Sequence, residues 1–153
     1  MPPLWPSRPD ADEARHTGEF CAAYVDDQNG ASLVVAERYY SNARLDKGSL
    51  YRRLIDGAEL WHMPITASAS AIIWLADSGL IATAFLSGHI ALIDAATGQV
   101  VLDGRAAVDG VPTVIFSMAA DSHGRIAFGT ISGQVLMKHV SDLAVTNSLI
   151  DLS

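Results

Sequence analysis

The chain has 153 residues, half of them apolar and 18% charged, with a formal net charge of −7 at pH 7. Such a length and composition give one domain with a core of its own and exclude a disordered polypeptide. Cys21 is the single cysteine, which excludes an intrachain disulfide and a cysteine-based zinc centre, and the acidic majority disfavours nonspecific nucleic-acid binding.

The lone cysteine fits a reducing compartment, and the first residues, Met1-Pro-Pro-Leu-Trp-Pro-Ser-Arg-Pro9, lack the charged start and apolar core of a signal peptide, so a cytoplasmic location is expected. Residues 1–17 form a separate N-terminal segment. Within it Asp10 is placed to cap free amides with Glu13 three residues on, and Thr17-Gly18 ends the run, which allows a short helix or a tail.

From Gly18 onward, short apolar stretches alternate with turn residues, the pattern of an all-β domain over 18–153. The first unit, 18–65, is expected to hold strands near 19–25, 31–38, 49–55 and 59–63, with turns at Asp26–Gly30 and Asp56-Gly57 and a longer loop over 39–48. The second unit, 66–110, reads as strands near 70–75, 80–86, 89–94 and 99–103. The third, 111–153, reads as strands near 113–118, 125–130, 134–139 and 144–150. Residues 71–93 carry only one formal charge, Asp77, and are long enough to span a bilayer, but the turns at Asp77-Ser78-Gly79 and Ser87-Gly88-His89 cut the run into strand lengths.

The second and third units repeat each other. Asp77-Ser78-Gly79-Leu80-Ile81-Ala82 followed by Ser87-Gly88-His89-Ile90 recurs as Asp121-Ser122-His123-Gly124-Arg125-Ile126-Ala127 followed by Ser132-Gly133-Gln134-Val135. Apolar runs closed by glycine turns at one phase are what repeated antiparallel hairpins produce, because each turn needs a residue that accepts positive φ. Together with the Asp-x-x-Thr-Gly turn at Asp94-Ala-Ala-Thr-Gly98, the pattern resembles the blades of a WD40-like or quinoprotein-like β-propeller. The resemblance covers roughly residues 18–150 and implies about three four-stranded antiparallel meanders. It lacks the Trp-Asp dipeptide, its Gly88-His89 pair lies at the wrong strand for WD40 repeats, and the third unit has His139-Val-Ser-Asp142 where the turn motif would stand. Three blades are fewer than the four to eight of a closed ring, so an end face must be completed by a second chain, a partner or the N-terminal segment, or it stands open.

Searches for chemistry find little. Gly129-Thr-Ile-Ser-Gly133 is not a nucleophile elbow, and Asp121-Ser122-His123 puts the three side chains of a hydrolytic triad in one turn, where neighbours cannot form the relay. Asp26-Asp27-Gln28-Asn29-Gly30 has Val25 and Ala36 where a calcium loop needs ligands. The five histidines lack metal-ligand spacing. No cofactor, metal site or catalytic residue is therefore expected, and a binding protein is favoured over an enzyme.

The basic cluster Arg38, Arg44, Lys47, Arg52 and Arg53, with Tyr39, Tyr40 and Tyr51, has a composition suited to nucleic acid. Arg52 and Arg53 are adjacent on a predicted strand and point to opposite faces, so nucleic-acid binding is not expected. Trp61, near a turn rich in acids, is a candidate interface anchor or a packing residue between blades, and Trp74 reads as core. The leading expectation is an acidic inhibitor or immunity-type protein. It would occlude a basic toxin or nuclease, with Asp56, Glu59, Trp61, Asp94, Asp103 and Asp109 as its partner-binding residues. The alternatives are a self-associating half-propeller scaffold, which dimerises, and then a propeller-type enzyme or lectin.

Overall fold

A computed structural model describes residues 17–41 and 44–153. The predicted helix start at Asp10 lies outside the described residues. The architecture is all-β, with three antiparallel sheets in chain order. The first holds β1 (Thr17–Asp27), β2 (Gly30–Ser41), β3 (Arg44–Leu54) and β4 (Glu59–Pro64) as a simple meander. The second holds β5 (Ala69–Leu75), β6 (Leu80–Phe85), β7 (His89–Asp94) and β8 (Val100–Val108), with the short β9 (Val111–Pro112) paired to β8. The third holds β10 (Ile115–Ala120), β11 (Arg125–Thr130) and β12 (Val135–His139). β13 (Leu149–Asp151) completes the list of strands.

The repeat predicts the second sheet closely because its turns are set by local chemistry. Gly79, Gly88, Gly124 and Gly133, the glycines of the two copies, take φ of +67°, +95°, +81° and +87°, conformations that cost an L side chain about 1–2 kcal/mol. The apolar run 71–93 is β5 to β7 of this sheet, and no described helix is long and apolar enough to cross a membrane.

Two expectations fail. The loop expected over 39–48 is largely strand: β2 and β3 run on to Ser41 and Arg44, paired from Ser32↔Leu54 to Ser41↔Arg44 with one register shift between Tyr39 and Tyr40. Charged and tyrosine side chains there hide the apolar alternation that marked the other strands. The expected fourth strand of the third unit, 144–150, is broken by Asn147 and Ser148, both at positive φ (+51° and +65°), in a turn closed by reciprocal Thr146–Leu149 backbone hydrogen bonds of 2.8 and 2.9 Å. Two consecutive left-handed residues reverse the chain tightly. β13 then leaves its own unit and pairs in parallel with β8, Leu149 opposite Arg105 and Asp151 opposite Ala107. Gly104 makes this possible, since a Cβ there would stand 2.8 Å from the Ile150 side chain.

The sheets stack, with β5 packed against β1 on one side and β10 on the other. Each sheet therefore has a forward face, turned toward the next sheet, and a backward face. Between the first and second sheets, Val25, Val34, Ala36, Leu50 and Trp61 meet Ile72, Ile81, Ala91 and Ile93. Between the second and third, Ala82, Ala84, Ile90 and Leu92 meet Ile115, Ile126 and Phe128, and Leu143, Ile150 and Leu152 close the same core. The returning C-terminal segment thus ties the third sheet to the second.

Candidate protein-binding surfaces

Antiparallel meanders put alternate turns at one end of each sheet. The turns β1–β2, β3–β4, β5–β6, β7–β8 and β10–β11 share an end, as the side chains lining two clefts show. Asp26, Asp27 and Gln28 face Ser78, Gly79 and Asp94 across one cleft, and Asp77 and Ser78 face Asp121, Ser122 and His123 across the other. Each of these turns carries an aspartate, so this end collects Asp26, Asp27, Asp56, Asp77, Asp94 and Asp121.

The carboxylates are also turn formers. Asp56 accepts from the Ala58 amide (2.9 Å), and Asp94 accepts from the Ala96 and Thr97 amides (3.0 Å each) and the Thr97 hydroxyl (3.2 Å). Asp121 accepts from the amides of Arg125 and His123 and from Arg125 Nε (2.6 Å), which hold its carboxyl down at about 2, the backbone donors contributing most. Glu59, just past the β3–β4 turn, lies 4.0 Å from Arg53 and 3.2 Å from His62.

The predicted partner-binding residues therefore do not form one surface. Asp56, Glu59 and Asp94 lie toward the acidic end. Asp103 lines a cleft at the other end beside Ser87 and His89, and Asp109 follows β8 there, its amide donating to Ser153 Oγ (3.2 Å). Trp61 is buried between the first and second sheets, where its Nε1 donates to the Ala95 carbonyl (2.8 Å) and its ring packs under Gly98. The packing alternative for Trp61 describes what this ring does. Trp74 is only partly buried and borders both acidic-end clefts.

Sequence reasoning missed the network beside Trp61. Arg52 is 0% exposed. Its guanidinium meets Asp27 through two nitrogens (2.9 and 2.7 Å), its Nε donates to Ser32 Oγ (2.8 Å), and its Nη1 donates to the Ala95 carbonyl (2.7 Å). Arg52 holds the Asp27 carboxyl below its usual range. Arg52 and Trp61 thus converge on one carbonyl of the second sheet. On the opposite face of β3, Arg53 stacks on Tyr51 (4.9 Å to the ring centroid), while the Tyr39 and Tyr51 hydroxyls donate to Glu37. Burial first, and then the Glu37 charge, pushes the Tyr51 phenol up. The basic and aromatic side chains seen in the sequence are in these places directed inward or onto one another.

The clefts hold little catalytic geometry. At the end opposite the acidic turns, a cleft of about 330 Å³ has apolar walls from Leu50, Met63, Ile65 and Phe85, with Ser87 Oγ 3.3 Å from His89 Nδ1. Asp103 lines the same cleft but makes no ion pair with the imidazole. In the Asp121-Ser122-His123 turn, Ser122 Oγ is 3.4 Å from His123 Nδ1 and Asp121 binds amides and Arg125 instead. Neither turn assembles a serine–histidine–carboxylate relay. Among the described residues, no three histidine, cysteine or carboxylate groups gather as a metal site.

The third sheet is different. Its forward face presents Ala119, Ala127 and Gly129 beside Val135, 74% exposed, and Met137, 59% exposed. Among the described residues no strand pairs with the outer edge of β12.

No family model matches the chain, and no curated protein matches it. Solved structures do. HIRA(644–1017) superposes with a TM-score of 0.55 at 11% identity, over 82% of this chain and 36% of that one. BamB from Moraxella catarrhalis superposes with a TM-score of 0.53 at 17% identity, over 89% of this chain and 36% of that one. Both are β-propellers. At these identities the likeness shows the fold: stacked antiparallel sheets of the propeller kind, in a chain spanning about a third of the length of the two structures it matches.

Proposed function

We propose that this chain is a non-enzymatic protein-binding scaffold, an arc of propeller-like sheets whose third sheet is completed by another polypeptide. The observation that carries this reading is the exposure of Val135 and Met137 on a face of small and apolar residues next to a strand edge that no described strand pairs. Water solvates such a face poorly, and contiguous apolar surface of this kind marks a contact site in folded proteins. An unpaired edge adds backbone donors and acceptors that a partner strand can satisfy.

The reading is tested by placing a photo-reactive benzoylphenylalanine at position 135 and irradiating cells of the source organism. A discrete polypeptide adduct is expected at 135 and not at Val101, an exposed control on β8. Absence of any adduct at 135 would remove the scaffold reading.

A second reading, the acidic inhibitor of a basic toxin or nuclease, is favoured by the gathering of aspartates at one end of the stack. It predicts a partner whose affinity falls steeply with salt, and charge reversal of Asp56 and Asp94 would weaken that complex. Equal binding by the reversed variant would end this reading.

A further inference from the structure

Among the described residues the third sheet is one strand short, and the other two sheets show what that strand requires. The repeat makes Val135, Leu136 and Met137 of β12 the counterparts of Ile90, Ala91 and Leu92 of β7. On its outer side β7 is paired by β8, with Ile90 opposite Gly104, Ala91 opposite Asp103 and Leu92 opposite Leu102, and a register shift at the next step. In the first sheet β3 is paired by β4 with its shift at the same step: Leu50 lies opposite Met63, Tyr51 opposite His62 and Arg52 opposite Trp61. Both fourth strands are antiparallel. Both run from a bulky apolar residue through a polar one to an apolar residue or glycine, Leu102-Asp103-Gly104 and Trp61-His62-Met63.

The backbone phase of β12 suits such a strand. The Gln134 carbonyl accepts from the Thr130 amide (2.9 Å) and the Val140 amide donates to the Gly124 carbonyl (2.8 Å), and the ladder between β11 and β12 has no register shift. The even-numbered residues therefore bond inward, and alternation turns the amides and carbonyls of Val135 and Met137 toward the outer edge. β7 has the same phase, since the Gly88 carbonyl, two residues before Ile90, accepts from Ala106 of β8 (2.8 Å). The Val135 and Met137 side chains stand exposed on the forward face, so a strand laid along this edge gains backbone pairs and apolar contact together. On the backward face Leu136 packs on the core closed by Leu143, Ile150 and Leu152, and Lys138 is the next residue on that side. From 122 to 141 the chain carries Arg125 and Lys138 and no acid. An acid opposite Leu136, where Asp103 stands in β8, lies on the diagonal to Lys138, within reach of a long side chain.

We infer that the outer edge of β12 takes one extended segment of another polypeptide, paired antiparallel, with a bulky apolar residue opposite Met137, an acid opposite Leu136 and an apolar residue opposite Val135. This rests on the scaffold reading and names the chemistry of its partner. Residues 1–16 of the chain contain no such triplet, and their prolines at 2, 3, 6 and 9 withhold ladder donors. A second copy fits the edge poorly. β7 is the counterpart of β12, so β8 and β13, which follow β7 outward in the second sheet, reach one and two strands beyond β12 on its backward side. Pairing β12 with its own copy about a two-fold axis through the sheet keeps both second sheets on that side, where their β8 and β13 strands would meet. A single extended segment meets no such obstacle.

The test is fluorescence anisotropy of the purified full chain with a fluorescein-labelled peptide, Thr-Thr-Trp-Asp-Val-Thr-Thr, and with two N-methylated forms of it. In the inferred register the Trp and Val amides of the peptide face β12 and the Asp amide faces away. Saturable binding is expected, weakened at least about tenfold by N-methylation at Trp or Val and left within about twofold by N-methylation at Asp. Met137→Pro removes an outward amide at a position where an edge strand accepts proline, and it should weaken binding to a similar degree, with circular dichroism confirming that the sheets persist. Equal loss from methylation at Asp and at Trp overturns the proposal, because strand pairing has a phase and side-chain contact alone does not. Absence of saturable binding to the full chain also overturns it: binding restored by deleting residues 1–16 would assign the edge to the chain's own segment, and a dimer in sedimentation equilibrium would assign it to a second copy. If the peptide fails while position 135 still cross-links a polypeptide, the strand is wrong and the scaffold reading stands; a position 135 that cross-links nothing removes the scaffold reading as well.

Discussion

The Arg52 guanidinium and the Asp27 carboxylate meet at 2.7 Å across 25 positions of sequence, with the arginine side chain wholly buried. The same guanidinium reaches the Ala95 carbonyl, so one side chain ties β1, β3 and the β7–β8 turn together. Removing one partner of a buried pair leaves an uncompensated charge, which costs about 3–5 kcal/mol. Asp27→Ala should lower stability by about 3 kcal/mol, read as a drop in the urea midpoint; a change under about 1 kcal/mol would show that Ala95 and Ser32 satisfy the guanidinium unaided.

The pair also sets a pH dependence. The folded Asp27 carboxyl is held below its ordinary range by Arg52. Its contribution to stability is fully present above the unfolded carboxylate value of about 3.9 and is lost as pH falls through the lower folded value. Stability measured from pH 5 down to pH 2 should therefore fall less steeply in Asp27→Asn than in the unmodified chain. An identical slope would mean that Asp27 titrates alike in the folded and unfolded states.

Gly98 is the other point where the first two sheets lock. It sits at φ +76°, and a Cβ there would lie 2.7 Å from the Trp61 ring. Gly98→Ala combines backbone strain with overpacking and should cost about 3 kcal/mol. Gly57→Ala, at φ +98° with nothing within 4 Å, should cost only the backbone part, about 1–2 kcal/mol. Equal losses in the two variants would show that Trp61 moves aside freely.

Thr83 is fully buried and its hydroxyl has no hydrogen-bond partner among the described residues. An unsatisfied buried hydroxyl is a desolvation cost that the isosteric valine lacks. Thr83→Val is expected to raise stability by about 1 kcal/mol, seen as a higher thermal midpoint. A destabilised variant would reveal a partner for the hydroxyl in solution.

Asp121 should titrate near 2 by carbon-detected NMR, because amides of Arg125 and His123 and the Arg125 side chain all donate to it. The backbone donors come first, so Arg125→Ala should leave a carboxyl still below the ordinary range. A return to the ordinary value would assign the depression to the guanidinium.

What was legible in the sequence was whatever local chemistry decides. Ser87-Gly88 and Ser132-Gly133 mark hairpins because the glycine must take positive φ, and the apolar stretches around Ile81, Ile90 and Ile126 identify buried strands. The ends of β2 and β3 were hidden because charged and tyrosine side chains there break the apolar alternation. The loss of the fourth strand after His139 was hidden because positive φ at Asn147 and Ser148 follows from closing a tight turn, and nothing local announces that β13 returns to Gly104. Among the candidate site residues, the turn acids were visible as charge but not their division between two ends of the stack. Arg52 read as part of a basic cluster because its partner Asp27 is brought to it only by the pairing of β1, β2 and β3. The open face of the third sheet was visible only as an expectation about an end blade; assigning it to Val135 and Met137 required the register.

The central claim is that protein binding occurs on that face, and amide hydrogen exchange tests it most directly. The chain would be measured alone at low concentration and again in the complex recovered after cross-linking at position 135 and at the acidic turns. The account predicts new protection over β10 and β12, residues 115–120 and 135–139. Protection confined to the turns at 76–79, 94–98 and 121–124 would contradict it and move the binding surface to the acidic end.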